Sequence, residues 1–254
     1  MPNPTIASQP LSIRCLALTA SLETGRTIPE CFSGLTGNFD KQGISFGVLQ
    51  WNLGQGSLQP ILKEMLDKHR DRMQEIFHQH LPALEAALDS TKEKLMEFAL
   101  SIQYQDQHKG YVINEPWKGM FIALGRNPEC QAIQKRLAQV RFNEALIWCK
   151  TYQLWSERAA ALMFDIVVQN GSISGATQAA ILGEFSRLPK DLSKDDLEVH
   201  KMVIIANLKA EASKKEYIED VRKRKLCIAN GKGVVHGNSY DLEGQFFISL
   251  KSYA

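Results

Sequence analysis

Apolar residues recur at helical spacing over most of this chain. Leu11, Cys15, Leu18 and Leu22 form a stripe behind Pro10 and predict a helix to about Thr24, stopped by Gly25. The helical period resumes at Ser57 (Leu58, Ile61, Leu62, Met65, Leu66) and again across "LPALEAALDSTKEKLMEFALSI". "WKGMFIALG" and "PECQAIQKRLAQVRFNEALIWCKTY" read as helices, and "SERAAALMFDIVVQNG" as one capped by Ser156 and ended by Asn170-Gly171. "SGATQAAILGEF" predicts a short helix, and Ser193-x-x-Asp196 a capping box. A last helix through "EYIEDVRKRKLCIAN" stops at Gly231. The polar "YQDQHKGYVINEP" predicts a loop, and "VVHGNSYDLEGQFFISL" has mixed strand character.

One stretch breaks this rhythm. Residues 25–57 predict loop and turn, with short strands around "FSGL" and "SFGVLQW". Eight to ten helices beside a small β or irregular portion near the N-terminus give the fold class: α+β, predominantly helical, in a single domain of one or two lobes.

Composition changes this picture little. The 254 residues are 44% hydrophobic and 23% charged, as in a globular domain. A formal net charge of +2 is too small to imply a polyanion, so nucleic acid is not an expected partner. Five scattered cysteines without a CxxC pair read as reduced core thiols. "MPNPTIASQPLSIRC" lacks a basic start and apolar run, so no signal peptide is expected, and no apolar run approaches the roughly 18 residues of a membrane span.

Candidate chemistry concentrates where the helical pattern fails. Gly25, Gly34, Gly37, Gly43, Gly47, Gly54 and Gly56 permit positive φ and close backbone approach, which suits either a substrate groove or a tightly packed turn region. Glu23, on the last turn of the first helix beside the apolar stripe, reads either as a solvated helix-end carboxylate or, if partly withdrawn from water, as a general acid. It also lies at the negative end of the helix dipole, a poor place for a solvated structural glutamate. Asp40, in "NFDKQG", is a turn former by type, yet two carboxylates facing across a cleft are what glycoside hydrolysis requires. Ser45 is placed to hold the attacking water.

Other motifs carry less. His78 and His80, at i and i+2 of a helical pattern, point apart and make a poor metal pair. "GKGVVHG" does not follow a strand and open a helix, as a dinucleotide loop does. "RKRK" (222–225) reads as cations favoured near a helix end. No cofactor and no metal is expected.

"SLETG…GNFDKQGISFGVLQWNLGQGSLQP" resembles the first half of lysozyme-superfamily glycan hydrolases. The likeness is to peptidoglycan-hydrolase domains of bacteria and phages, type VI secretion effectors included, and more distantly to chitosanases. The resemblance matches Glu23 to the glutamate that closes an N-terminal helix in chitosanases, and Asp40 to the aspartate of their Asp-Gly-x-Gly-Tyr-Thr-x-Gly turn. Gly43 and Gly47 keep turn glycines, Ser45 stands for the water-orienting threonine, and Lys41 replaces the first turn glycine. "ALMFDIVVQNG" resembles a second chitosanase helix, with Asp165, Gln169 and Gly171 in matching places and Asn170 in place of a histidine. There the aspartate joins an arginine supporting the acid, which implies Asp165 with Arg222 or Arg224.

The resemblance thus implies a muramidase-like hydrolase of peptidoglycan glycan strands. Glu23 is the expected acid and Asp40 the base or cation stabiliser. Ser45 would position water, and Gln50, Trp51 and Asn52 would line the groove. If the chitosanase geometry holds, the carboxyls are about 6.5–9.5 Å apart and the reaction inverts. The alternatives are a chitosanase-type amino-sugar hydrolase, lytic transglycosylase chemistry, or a wall-binding module without chemistry. The biology implied is action on a target bacterium's wall or periplasm after cytoplasmic synthesis and non-classical export, as an effector with a cognate immunity protein or as a lysin, including as a domain cut from a longer polypeptide.

Overall fold

The computed structural model describes residues 5–108 and 110–253, so the first four residues of "MPNPTIASQP" and Lys109 of "YQDQHKGYVINEP" lie outside it. In chain order come α1 (Leu11–Thr24), β1 (Leu35–Thr36), β2 (Ser45–Phe46), β3 (Trp51–Asn52), α2 (Gln59–Lys68), α3 (Arg70–Phe77), α4 (Leu81–Leu88) and α5 (Lys92–Ser101). Then follow β4 (Gln103–Asp106), β5 (Gly110–Ile113), α6 (Trp117–Arg126), α7 (Pro128–Thr151), α8 (Glu157–Asn170), α9 (Gly175–Phe185) and α10 (Lys194–Glu211). The chain finishes with α11 (Ile218–Asn230), β6 (Lys232–Val235), β7 (Asn238–Asp241) and α12 (Leu242–Phe246). It divides into two compact units, one formed by the segment up to Gly25 together with Ala138 onward, the other by Arg26–Leu137.

In the first unit, α1, α8, α9, α10, α11 and the β6–β7 hairpin pack together. α1 starts behind Pro10 and stops at Gly25, whose φ of 66° is a left-handed helix cap. Its expected one-sided stripe is too narrow: every residue from Cys15 to Ala20 is buried, so the helix is enclosed all round. The same holds for α8, buried from Ala159 to Val167. Ser156 caps α8 by accepting from the Ala159 N–H at 3.1 Å, and Ser193 caps α10 from the Asp196 N–H at 3.1 Å. Enclosure of α1 and α8 has a consequence: any polar side chain they carry inward must find a partner in the protein.

The second unit holds a three-stranded antiparallel sheet, β1-β2-β3, the β4–β5 hairpin, α2 to α6 and the start of α7. Its core contains Ile44, Phe46, Leu62, Met65, Phe77 and Phe121. Phe121 lies 5.6 Å from Phe77 and 5.7 Å from Phe46, ring centroid to centroid. The small sheet is thereby fixed to α6.

Several expectations are corrected. The polar segment expected as a loop forms β4 and β5, because a hairpin with one wet face needs few apolar residues. The helical run from Leu81 is broken where "DST" offers side chains to the backbone, and Thr91 caps a separate α5. With α3 and the short α12, the described residues hold twelve α-helices rather than eight to ten. His78 and His80 lie in a 3-10 turn, not in an α-helix. In agreement with the strand character read for the tail, "GKGVVHG" forms β6 and its hairpin turn, with His236 and Gly237 at φ 50° and 80°. "RKRK" does not end a helix: α11 continues to Asn230, and Arg224 and Lys225 are buried.

Candidate active site

Glu23 sits one residue before the end of α1. The neighbouring Ser21 is tied down by Tyr240, whose hydroxyl donates to the Ser21 carbonyl at 3.1 Å, so the last turn of the helix is anchored to β7. Arg224 Nη1 reaches Glu23 Oε1 at 2.8 Å; the arginine side chain is 2% exposed and the glutamate side chain 26%. Glu23 is therefore held from the protein side and open to water on the other.

Behind it lies Asp165, wholly buried on α8. Arg224 donates to its carboxylate from Nη2 at 2.6 Å and from Nε at 3.0 and 3.1 Å, a forked arrangement only a guanidinium can make. Lys225 Nζ adds a contact to Oδ2 at 2.5 Å and donates to Gln169 Oε1 at 2.6 Å. Thr19, on the buried face of α1, donates to Oδ1 at 3.2 Å. Three helices thus converge on one carboxylate.

Burial raises the affinity of Asp165 for a proton, but the Arg224 and Lys225 charges and their hydrogen bonds overrule it and hold the carboxyl well below the usual carboxylate range. Burial depresses Arg224, but Asp165 and Glu23 more than compensate, and it stays protonated. Burial dominates at Lys225, lowering it to about 8 against the pull of Asp165. Asp165 alone does not balance two buried cations. Arg224 also faces Glu23, so a charge forming on Glu23 meets a prepared partner.

The second unit builds its own arrangement around Asp40. Gly37 can approach β5 because it has no side chain: a Cβ there would lie 2.6 Å from the Tyr111 carbonyl oxygen. Gln103 accepts from the Asn38 N–H at 2.9 Å, and Asn38 accepts from the Gly43 N–H at 2.8 Å, which pins both ends of the turn. Within it Asp40 accepts from the Gln42 N–H at 3.1 Å, and its side chain is exposed. Lys41 adopts φ 63°, a left-handed conformation that favours glycine.

Ser45 is 4% exposed on β2, paired with Thr36 on one side and Asn52 on the other. Gln50 bridges the sheet, accepting from Thr36 Oγ1 and donating to the Gly47 carbonyl, both at 2.9 Å. Trp51 is half-buried against the unit's core, and Asn52 accepts from the Gln55 N–H at 2.8 Å. Gln50 thus ties β1 to the β2–β3 turn, Trp51 packs inward, and Asn52 fixes the turn after β3. Gln134, fully buried, accepts from the Val48 N–H at 2.9 Å and donates to the Phe32 carbonyl at 3.1 Å.

Of the two candidate arginines, Arg224 joins Glu23 and Asp165, whereas Arg222 pairs on the surface with Glu219 and Glu211. Lys225, Thr19, Gln103 and Gln134 escaped the sequence reading. A signal for Lys225 existed: Val221, Arg224, Lys225 and Ile228 follow the i, i+3, i+4, i+7 spacing of a buried face. Cys15, Cys31, Cys130, Cys149 and Cys227 are free and buried, as core thiols.

No protein-family model and no curated protein matches the chain. Solved structures do. A chitosanase complex is 18% identical, over 90% of this chain and 95% of that one, with a TM-score of 0.58. The chitosanase of Gynuella sunshinyii in complex with chitotetraose is 12% identical over 92% and 97%, TM-score 0.58. A mutant chitosanase from Bacillus subtilis complexed with 6 GlcN is 15% identical over 92% and 97%, TM-score 0.58. At such identities the likeness shows the fold, a helix-rich α+β architecture of the chitosanase and lysozyme-like kind.

Proposed function

We propose that the protein is a glycoside hydrolase that cleaves the glycan strand of peptidoglycan. The observation that carries the hydrolase reading is the contact of Arg224 with Glu23, backed by buried Asp165. Glu23 delivers a proton to the glycosidic oxygen as the bond from that oxygen to the anomeric carbon breaks, and the leaving sugar departs as an alcohol. The carboxylate left on Glu23 is stabilised by Arg224, which needs no movement to meet it. Asp40 takes a proton from a water whose oxygen bonds to the anomeric carbon, with Ser45 positioning that water. Gln50, Trp51 and Asn52 support the sugar-binding segment. The peptidoglycan assignment rests on the resemblance through "QWNLGQGSLQP". The fold of the similar solved structures favours a second reading, hydrolysis of chitosan.

Reducing-end release from purified peptidoglycan and from chitosan, by wild type and Glu23→Gln, separates these readings. The expected result is release from peptidoglycan that falls on the order of 10²–10⁴-fold in the variant. Equal release by both proteins would remove Glu23 from the acid role. Release from chitosan alone would establish the second reading. Binding of insoluble wall without any product would leave a wall-binding module.

A further inference from the structure

The second unit contains a pocket that the two carboxylates do not use. It lies between β1 and β5, has a volume of about 200 Å³, and is floored by apolar side chains including Ile113 and Ile122. Among the described residues its charged lining consists of Arg26 and Lys118, with no acidic residue. Both side chains are exposed, so they meet the solvent at the rim. Glu115, the acid nearest Lys118 in sequence, caps α6 by accepting from the Gly119 N–H at 3.0 Å and does not line the pocket. Gly37 lines it too, three residues before Asp40, and the bonds of Asn38 fix the turn between them.

The size and chemistry select a ligand class. About 200 Å³ falls below the roughly 300–1,000 Å³ of sites that take a whole small molecule, so the space suits a substituent. An apolar floor under two cations suits a short aliphatic group that ends in a carboxylate. A glycan of unmodified glucosamine carries no such group, and its ammonium groups would be repelled. Muramic acid carries one: a lactyl ether, bearing its own carboxylate or a stem peptide.

We propose that this pocket binds the carboxylate-bearing lactyl or stem-peptide substituent of a muramic residue, with Arg26 and Lys118 as the anion-recognising side chains. The inference deepens the peptidoglycan reading and rests on it for the identity of the substituent. It makes the pocket the element that distinguishes a wall glycan from chitosan.

The test is binding by the full chain carrying Glu23→Gln, measured by calorimetry at low salt, where exposed charges are least screened. Three probes are used: a peptide-free tetrasaccharide of alternating N-acetylglucosamine and N-acetylmuramic acid, a disaccharide-peptide from digested wall, and neutral tetra-N-acetylchitotetraose. The expected result is at least about tenfold tighter binding of an anionic probe than of the neutral one. Adding Arg26→Glu and Lys118→Glu should remove that advantage, while the thermal transition shows the fold intact. Preference for the peptide-free tetrasaccharide assigns the lactyl carboxylate, and preference for the disaccharide-peptide alone assigns the stem. No preference, or one that survives both reversals, overturns the proposal. A wild type that releases no reducing ends from wall, alongside a charge-dependent preference, would sink the hydrolase reading and leave the pocket standing. Wall cleavage without the preference would sink the pocket alone.

Discussion

Asp165 and Asp40 are both aspartates, one on a helix and one in a turn, and the fold treats them oppositely. Asp165 is buried on a helix enclosed on all sides and receives hydrogen bonds from Arg224, Lys225 and Thr19. Asp40 is exposed in a turn and accepts one local backbone bond. The first region withdraws charge from water and must balance it inside the protein. The second leaves a carboxylate in water and fixes only the backbone beneath it. Rigidity on one side comes from ion pairing, on the other from glycines that allow β1 to touch β5 and from glutamine amides that bridge strands.

The largest expected effect breaks the buried cluster. Asp165→Asn leaves Arg224 and Lys225 with no buried anion, and removing one partner from such a group costs about 3–5 kcal/mol. Asp40→Asn keeps the oxygen that accepts from Gln42 and should change stability by less than about 0.5 kcal/mol. Urea unfolding of both variants measures the contrast. Similar losses would show that the two aspartates are not structural opposites.

How much of this was legible differs between the regions. Glu23 and Asp40 stand out locally, at a helix stop and in a turn, whereas Asp165 and the pair Arg222 or Arg224 become candidates only through the resemblance to a second chitosanase helix. What joined Arg224 rather than Arg222 to Asp165 was not local. The contact spans 59 residues of chain, and only the burial of α11 on its Val221–Arg224–Lys225–Ile228 face selects it. Lys225 was missed because a run of four cations looks like a solvated helix end. The β4–β5 hairpin was missed because polarity was read as a loop, although Tyr104, Tyr111 and Val112 are good strand formers. Gln50 and Asn52 were expected among the groove residues; the bond of Gln50 to Thr36, 14 residues away, follows from a register no spacing reveals, whereas Asn52 bonds locally to Gln55.

A pH series tests the same contrast at intermediate size. The Asp165 carboxyl lies below its unfolded value of about 3.9, so its stabilisation is complete above that pH and is lost as pH falls below it. Lys225 has the opposite position on the scale. Its value near 8 is below the unfolded one of about 10.4, so between these pH values the unfolded chain binds more protons. Stability should therefore rise with pH across that window relative to Lys225→Met, by at most about 1.4 kcal/mol per pH unit. Unfolding free energies of both proteins from pH 7 to 10 provide the comparison. Parallel curves would mean that Lys225 titrates as if it were in water.

The smallest effect belongs to the turn beside Asp40. Lys41 holds φ 63°, which strains a residue with a Cβ by about 1–2 kcal/mol relative to the right-handed region. Lys41→Gly removes that strain but gives the unfolded chain more freedom, an opposing term of roughly 0.5–1 kcal/mol. The difference predicts a stabilisation of about 0.5 kcal/mol, measured as a shift in the urea midpoint at unchanged slope. The substitution leaves the Asp40–Gln42 bond and the two Asn38 bonds in place, because they use other residues. A glycine that destabilises the protein would show that Lys41 makes a compensating interaction. A glycine that stabilises it would show instead that the open region keeps a strained lysine next to its carboxylate, where the buried region has no such strain among its three charged partners.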